Sequence, residues 1–396
     1  MLTRVSKSNI GPIPYGKQTV TESDIQAVAE VLRSDYLTTG PKVKEFEDKF
    51  ADYIGCKYAV SVSNGTAALH LCALALDVHE KSNVITSPIT FVASANCIRF
   101  CGGQIEFCDI DPESLVLDIQ QVRKKLEQTP KGTYEGIIPV DFAGYPVNLE
   151  AYRELADEFG LWIIEDACHA PGGWFTDSKG IKQHCGNGQY ADLAIFSFHP
   201  VKHIACGEGG MITTNDETLY HKLLQLRSHG MVYQGNAKLQ ENHGGWYMEM
   251  QDLGFNYRMP DILCALGISQ LERAAQGITR RREIAKKYDE AFAGTAIQIH
   301  LPPDSVGHAY HLYVVEVKNR KALYDALRKV GIYAQIHYVP VHTMPYYRVT
   351  KEVKVEMPRA ESYYEKCISL PMYPSLSDTE QEFVIKNVLK CIESHL

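Results

Sequence analysis

Long apolar runs, a secretion signal and clustered cysteines are all missing from this sequence of 396 residues. No stretch approaches the roughly 20 apolar residues that cross a membrane, and the first fifteen residues lack the apolar core of a signal peptide. The eleven cysteines are scattered, odd in number and without a Cys-x-x-Cys motif, which argues against a disulfide framework. The densest group is Cys97, Cys101 and Cys108, with no histidine nearby. We therefore expect buried, reduced thiols and a cytoplasmic location.

Positive charge is not in excess. The chain has 40 Lys and Arg against 48 Asp and Glu, a formal net charge of −8. The longest basic run, 280–282, lies in a predicted helix beside Glu272, Glu283 and Asp289, and we interpret it as a solvated helix face. A nucleic-acid partner is not expected, because it would call for a concentrated basic face, and neither is a membrane.

The first two thirds of the chain alternate between short apolar segments and helical stretches. Thr21 with Asp24 resembles a capping box at a helix start. The alternation predicts an α/β fold, a mostly parallel mixed sheet covered by helices on both faces. In such sheets ligands bind at the carboxyl ends of strands. The predicted strands are 59–62, 84–86, 105–109, 137–141, 162–166, 193–197 and 210–214.

The last third of the chain predicts a smaller C-terminal α+β domain. A long helical pattern begins near Met259 and runs to about Phe292. Strands are predicted at 311–317 and 333–338, and a closing helix at 378–394. We place an N-terminal arm and the large domain in residues 1–270, and the small domain in 271–396.

Two motifs follow predicted strands of the large domain. Segment 63–69, SNGTAAL, opens a helix, whose free N–H groups and positive dipole end suit a phosphate. Asp166, in the motif EDACHA, ends a strand, where a carboxylate could pair with a protonated pyridine nitrogen. A plain capped turn and a structural helix cap are the alternatives for these two features.

Lys202 follows a further strand in the segment SFHPVK, just before the glycines of GEGG. A lysine there can form a Schiff base with an aldehyde if it is partly desolvated; a surface lysine is the alternative. His199 and His203 flank Lys202, and His169 is a third histidine, so a metal site is an alternative interpretation of this segment. Pro200 breaks the helix that would align the first two, and no carboxylate completes a ligand set, so we expect no metal.

Read together and in order, these motifs resemble the DegT/DnrJ/EryC1/StrS sugar aminotransferases. Further matching segments are TFVA at 90–93 and LGFNYRM at 253–259. The resemblance runs from Tyr15 to the C-terminal helix. It implies the fold-type I architecture of enzymes that use pyridoxal 5′-phosphate (PLP).

The resemblance also implies roles for single residues. Lys202 matches the Schiff-base lysine, Asp166 the partner of the pyridine nitrogen, and Phe91 the aromatic that stacks on the ring. Asn256 matches a contribution from the neighbouring subunit, which implies a homodimer with shared active sites. The other cofactor contacts are Gly65, Thr66, Ala67, His169 and Ser197. The implied sugar-nucleotide contacts are Tyr15, Asp35, Tyr36, Leu37, Thr38, Gln335, Ile336, His337 and Tyr338.

Within the family, three segments are most similar to aminotransferases of pseudaminic acid biosynthesis: IPYG at 13–16, RSHGM at 227–231 and QIHYVP at 335–340. This similarity implies a ping-pong reaction in which glutamate gives its amino group to C4 of a UDP-linked 4-keto-6-deoxy-N-acetylhexosamine. The alternatives are another nucleotide-linked keto sugar (3- or 4-keto, dTDP or UDP), a PLP enzyme of amino acids alone such as a desulfurase or aldolase, and a PLP-binding regulator without turnover.

Overall fold

The computed structural model describes residues 11–232, 246–349 and 356–395. Thirteen α-helices lie in this part of the chain: α1 (Glu22–Leu32), α2 (Pro41–Ile54), α3 (Gly65–Ala75), α4 (Ala93–Phe100), α5 (Ile119–Glu127), α6 (Leu149–Phe159), α7 (Glu217–Arg227), α8 (Asp261–Leu271), α9 (Ala274–Phe292), α10 (Arg320–Lys329), α11 (Pro345–Val349), α12 (Pro358–Lys366) and α13 (Asp378–His395).

The strands of the same part are β1 (Ile13–Pro14), β2 (Tyr58–Val62), β3 (Asn83–Thr86), β4 (Gln104–Phe107), β5 (Gly136–Ile138), β6 (Trp162–Asp166), β7 (Trp174–Thr176), β8 (Lys182–His184), β9 (Leu193–Ser197), β10 (Gly210–Thr214), β11 (Met231–Val232), β12 (Glu249–Met250), β13 (Gln298–Ile299), β14 (Val306–Gly307), β15 (Tyr313–Glu316), β16 (Ile332–Tyr333) and β17 (Cys367–Leu370).

A seven-stranded sheet lies at the centre of the first and larger apolar core. Its order is β2-β10-β9-β6-β5-β3-β4. Strand β10 runs antiparallel to both of its neighbours, and the five strands from β9 to β4 are mutually parallel. The strands are buried almost throughout, as continuous apolar runs such as 193–196 require in a sheet covered on both faces. The predicted α/β class with a mostly parallel mixed sheet is confirmed.

A second core lies in the C-terminal part. Strands β13, β15 and β17 form an antiparallel sheet, and helices α10 and α13 pack together beside it. The apolar side chains of these elements and of α9 form their own cluster, which includes Tyr288, Val315, Leu323 and Val388. Strand β1 of the N-terminal arm pairs in parallel with β16, so the arm crosses to this second core.

Several sequence predictions need correction. The pattern from Met259 to Phe292 is two helices, because the chain breaks at Glu272 and Arg273 between α8 and α9. The strand predicted at 333–338 shortens to β16 and one isolated bridge from Gln335 to Ser369. Short strands β7, β8 and β14, which form a sheet of their own, were not predicted.

The basic run 280–282 is not the solvated face that its charges suggested. Arg281 is only 2% exposed, and its guanidinium donates to main-chain carbonyl oxygens. Helix α9 lies against the segments that precede β15 and follow β17, and this packing buries the residue. All eleven cysteines are free, and eight of them are buried as predicted, whereas Cys56, Cys101 and Cys168 are only half-buried. No helix among the described residues is long and apolar enough to span a membrane.

Candidate active site

The carboxyl ends of β6 and β9 and the start of α3 surround a cavity of about 680 Å³, called here the main cavity. This is where ligands bind in open α/β sheets. Eleven of the residues singled out from the sequence line it: Tyr15, Gly65, Thr66, Ala67, Phe91, Asp166, His169, Ser197, Lys202, His337 and Tyr338.

One end of the main cavity is built to hold an anion. Helix α3 begins there, and the side chain of its N-cap, Asn64, accepts a hydrogen bond from the Ala67 N–H at 2.8 Å. The N–H groups of Gly65 and Thr66, which precede Ala67 in the first turn, have no acceptor within the helix and form the positive end of its dipole. A Cβ atom on Gly65 would lie 3.1 Å from Cβ of Ser197, so glycine keeps this corner open. The geometry suits a phosphate group.

The Asp166 carboxylate is fixed at the end of β6. Its Oδ2 accepts a hydrogen bond from the Ser94 hydroxyl at 2.6 Å, and its Oδ1 accepts from the Cys168 N–H at 3.2 Å. The residue is only 5% exposed, yet it lines the main cavity. A buried carboxylate with a fixed direction can hold a proton on a ring nitrogen that faces it.

Lys202 lies in a turn between β9 and β10, where its main-chain N–H donates to the His199 carbonyl oxygen at 2.8 Å. Burial lowers the pKa of its ammonium group, while Cys168 and Asp166 act in the opposite direction. A lowered pKa increases the share of the neutral, nucleophilic amine near pH 7.

A hydrogen-bond chain fixes the protons of His169 and Tyr338. Burial lowers the pKa of His169 well below its usual value, so the ring is neutral. The Ala143 N–H donates to Nδ1 at 3.2 Å, which leaves the ring proton on Nε2. Nε2 then donates to the Tyr338 oxygen at 3.3 Å. The Tyr338 hydroxyl is therefore free to donate its own proton into the main cavity.

Aromatic groups line another part of the main cavity, formed by Tyr15, Phe91, His337 and Tyr338 and called here the outer part. Phe91 is 58% exposed although it lies on the cavity wall, and its ring centroid is 6.4 Å from that of Tyr338. Tyr15 packs on His337, with centroids 5.1 Å apart. His337 is held by the Ser369 hydroxyl at 2.8 Å, and burial lowers its pKa to about 3. A flat ring could stack on Phe91, and an uncharged polar ligand could contact the other three.

The remaining predicted residues lie outside the main cavity of their own chain. Asn256 is exposed and bridges to Ser228. Asp35, Tyr36, Leu37 and Thr38 form an exposed loop after α1, anchored where the Asp261 N–H donates to the Thr38 carbonyl. Gln335 is exposed and pairs through its main chain with Ser369, while Ile336 packs against the two cores.

Several cavity residues were not singled out from the sequence. Phe100, Glu208, Tyr257 and His311 line the cavity together with the predicted ones. The His311 ring lies 4.3 Å from that of His169, and burial lowers its pKa well below the usual value. Glu208 belongs to the glycine segment after Lys202 and could have been found there. Tyr257 lies next to Asn256 in the matching segment 253–259 and could also have been found. The sequence gives no comparable signal for Phe100 and His311.

Two buried carboxyl groups, those of Asp141 and Glu165, lie near Asp166. Asp141 accepts from the Val147 N–H, and Glu165 accepts from the Gly186 N–H, each at 2.9 Å. Burial raises the pKa of both groups, and the second oxygen of each has no hydrogen-bond donor among the residues that the structure describes. One proton shared between them satisfies both oxygens. The Cys185 thiol lies within 4.8 Å of them, a set that could also hold a metal ion, but two carboxyls that favour the neutral form indicate proton sharing.

The main cavity has the parts that PLP requires. The start of α3 can hold its phosphate, Phe91 offers a face to its ring, and Asp166 offers a carboxylate to its nitrogen. Lys202 is half-buried and has no carboxylate within ion-pair distance among the described residues, so its amine is available for a covalent bond. The residues present therefore fit this cofactor.

Comparison with known proteins gives one consistent family. Residues 18–389 match the model of the DegT/DnrJ/EryC1/StrS aminotransferase family. The spore coat polysaccharide biosynthesis protein SpsC of Bacillus subtilis is 37% identical, over 95% of this chain and 96% of its own. The UDP-4-amino-4,6-dideoxy-N-acetyl-beta-L-altrosamine transaminase of Campylobacter jejuni is 33% identical, over 96% of this chain and 98% of its own.

Solved structures agree with the sequence relatives. PseC of Helicobacter pylori, described as an aminotransferase of pseudoaminic acid biosynthesis, superimposes with a TM-score of 0.86 at 30% identity, over 97% of this chain and all of its own. Spr1654 of Streptococcus pneumoniae, in its PMP form, gives 0.88 at 28% identity over the same shares. The chain therefore belongs to the DegT/DnrJ/EryC1/StrS aminotransferase family and is a PLP-dependent sugar aminotransferase of fold-type I.

Proposed function

We propose that this enzyme transfers the amino group of glutamate to C4 of a UDP-linked 4-keto-6-deoxy-N-acetylhexosamine, a step in the biosynthesis of a nonulosonic acid of the pseudaminic type. The observation that carries the proposal is the main cavity, which Lys202, Asp166 and the start of α3 line together with Tyr15, His337 and Tyr338. Two relatives of that pathway, at 33% and 30% identity, support the choice of sugar.

The protein's own groups have separate tasks in this reaction. PLP supplies, when bound, an electron sink for the carbon that loses its proton. Asp166 holds the proton of the pyridine nitrogen, and the first turn of α3 with Ser197 binds the phosphate. The Lys202 amine takes the proton from the α-carbon of glutamate, and later gives a proton to C4 of the sugar. The lowered pKa of Lys202 suits both directions of transfer.

The outer cavity is proposed to bind the sugar nucleotide. Tyr15 and His337 pack together at this end, and the Tyr338 hydroxyl has a proton to donate because His169 already donates to its oxygen. A keto or hydroxyl oxygen of the sugar is a suitable acceptor for it. Gln335 and Ile336 precede these residues in the chain, and we assign them to the edge of the same site.

A homodimer with shared active sites is part of the proposal. Asn256 is exposed and lies outside the cavity of its own chain. Near it in the chain, Leu253 is 78% exposed and Trp246 is 81% exposed, and apolar surface of this kind is typical of a protein interface. We assign Asn256 to the cofactor site of the partner, and the exposed loop 35–38 to the sugar nucleotide there.

A second candidate differs only in the sugar. SpsC, at 37% identity, belongs to spore coat polysaccharide biosynthesis, so a different nucleotide-linked keto sugar is the alternative substrate. A panel of UDP- and dTDP-linked 3- and 4-keto sugars separates the two. The aminated form of the enzyme is mixed with each sugar, and the return of the cofactor's absorbance is followed in a single turnover.

The two half-reactions test the outer cavity. Alanine at both Tyr15 and His337 should slow the sugar half-reaction and leave the glutamate half-reaction nearly unchanged, because only the sugar nucleotide extends that far. Tyr346→Ala is the control, since this tyrosine is exposed and lies outside the cavity. An equal loss in both half-reactions would show that the pair supports the fold or the cofactor instead.

A further inference from the structure

A second cavity of about 320 Å³, called here the rear cavity, shares Lys202 with the main cavity. It lies between the N-terminal arm, the junction of α8 and α9, and the residues Pro374 and Ser375. Nothing in the proposed reaction has used it so far. Its charged lining residues are Lys17, Lys202, Arg273, Arg280 and Arg281.

The rear cavity is strongly positive. Among the described residues, none of those that line it is acidic. Arg273 contacts Asp24 at 2.5 Å, and Arg280 contacts Asp378 at 2.8 Å and also Glu283. These carboxylates offset the charges of Arg273 and Arg280, and Lys202 is assigned to the cofactor. Lys17 and Arg281 have no carboxylate within ion-pair distance in the part of the chain that the structure describes.

Of these two charges, Arg281 carries the stronger argument because it is buried. It is 2% exposed, and its Nη1 donates to the carbonyl oxygens of Tyr310 and Met372 at 3.0 Å. Carbonyl oxygens satisfy hydrogen bonds but carry no net charge, so the buried guanidinium keeps an uncompensated positive charge. Burial lowers its pKa to about 10. Buried charges in proteins are ordinarily paired, and this one faces a cavity that could admit its partner.

The start of α9 adds to the same field. Arg273 is its N-cap residue, and Gln276 and Gly277 of its first turn line the rear cavity. The helix has 19 residues, and because its first turn lines the rear cavity, the positive end of its dipole faces the same space. A negatively charged ligand is the chemistry that this combination recognises.

We propose that the rear cavity binds the distal carboxylate of a dicarboxylate amino donor, while the donor's amine reaches Lys202 from the main cavity. The proposal rests on the proposed function, because it concerns the first substrate of that reaction. The two substrates use the same reacting atoms in turn but differ in their remaining parts. The sugar nucleotide extends outward past Tyr15 and His337, and the donor extends past Lys202 into the rear cavity.

A carboxylate fits this position better than the other anions of the reaction. The cofactor phosphate is assigned to the start of α3, and the sugar nucleotide to the main cavity. The rear cavity has less than half the volume of the main cavity, 320 against 680 Å³, which suits the smaller substrate. The two carboxylates of glutamate are the anions that remain. The α-carboxylate must stay beside the reacting carbon in the main cavity, so the side-chain carboxylate is the one that can reach the rear cavity.

The test is equilibrium binding of glutarate, a five-carbon dicarboxylate that has no amine and cannot react. Its binding to the holoenzyme is measured by calorimetry for wild type, Lys17→Gln and Arg280→Gln. We expect each variant to weaken glutarate binding by about tenfold, because each removes a charge-assisted contact. Lys286→Gln is the matched control: it removes a positive charge from an exposed position of the same helix, outside the cavity. Its binding should equal that of wild type.

Two results would overturn the proposal. One is an unchanged affinity for glutarate in both variants. The other is tighter binding of inorganic diphosphate than of glutarate, lost in the same variants, which would make the cavity a phosphate site. Neither outcome depends on a sugar. A protein that binds glutarate as expected but aminates no keto sugar would refute the proposed function alone.

Discussion

Gly210→Ala should weaken the binding of PLP, although it replaces no residue that we assign to cofactor binding or catalysis. Gly210 begins β10 and lies against the turn that opens α3. A Cβ atom there would lie 2.7 Å from C and O of Asn64 and 2.9 Å from N of Gly65. All three are main-chain atoms, so no side-chain rotation can relieve the contact.

The size of the effect follows from that geometry. Ordinary contact begins at 3.4 Å, so the turn must move by about 0.7 Å. The N–H groups proposed to bind the phosphate move with it, and a charge-assisted hydrogen bond contributes about 1.5–3 kcal/mol. Losing about one such bond should weaken PLP binding by about 10- to 100-fold.

The assay is reconstitution of the apoprotein with increasing PLP, followed by absorbance and by quenching of protein fluorescence. Gly11→Ala is the control, because a Cβ atom at Gly11 meets nothing within 4 Å. Thermal unfolding of the apoproteins separates a loss of cofactor affinity from a loss of stability. Wild-type affinity for PLP in a folded Gly210→Ala protein would refute the assignment of this turn to the phosphate.

Three further predictions concern other parts of the site. Asp166→Asn should still bind PLP but lose most turnover in both half-reactions, since the ring nitrogen loses its charged partner; near-normal turnover would count against the assignment. Inactive Lys202→Ala and Asn256→Ala proteins, when mixed, should recover part of the activity through hybrid dimers with one intact site, and proven hybrids without activity would place both residues in one chain. Burial raises the pKa of Asp141, so the folded protein keeps this proton to a higher pH than the unfolded chain does. The protonated group therefore contributes to the free energy of unfolding at low pH, and this contribution is lost as the pH rises through the raised pKa. Asp141→Asn, which can donate to Glu165, should therefore gain stability relative to wild type as the pH rises from about 4 to 8, and parallel unfolding curves across that range would contradict the shared proton.

The sequence predicted that Gly65, Asp166 and Lys202 lie close together, because each of them stands at or just after the end of a strand. Asp166 and Lys202 come at the carboxyl ends of parallel strands, and Gly65 follows a strand that is joined to them through β10. The carboxyl ends of parallel strands meet at one edge of the sheet, so the motifs had to come together. The apolar runs of β6, β9 and β10 gave their bounds correctly for the same reason, since buried strands are continuous in the sequence.

Other features depend on contacts between distant segments. His311 reaches the site only because the chain leading to β15 packs against His169, and the direction of the Tyr338 hydroxyl depends on the Ala143 N–H, which no local pattern specifies. The break between α8 and α9 was hidden because apolar positions continue through it. Arg281 looked like part of a charged surface, and only the packing of α9 shows that it is buried.

The central claim is that Lys202 is the residue that carries the cofactor. Borohydride reduction of the holoenzyme, followed by proteolysis and mass spectrometry of the peptides, measures this directly. The account predicts a pyridoxyl group on Lys202 and on no other lysine. A label on Lys179, Lys182 or any other lysine would contradict the assignment, and with it the roles given to the main and rear cavities.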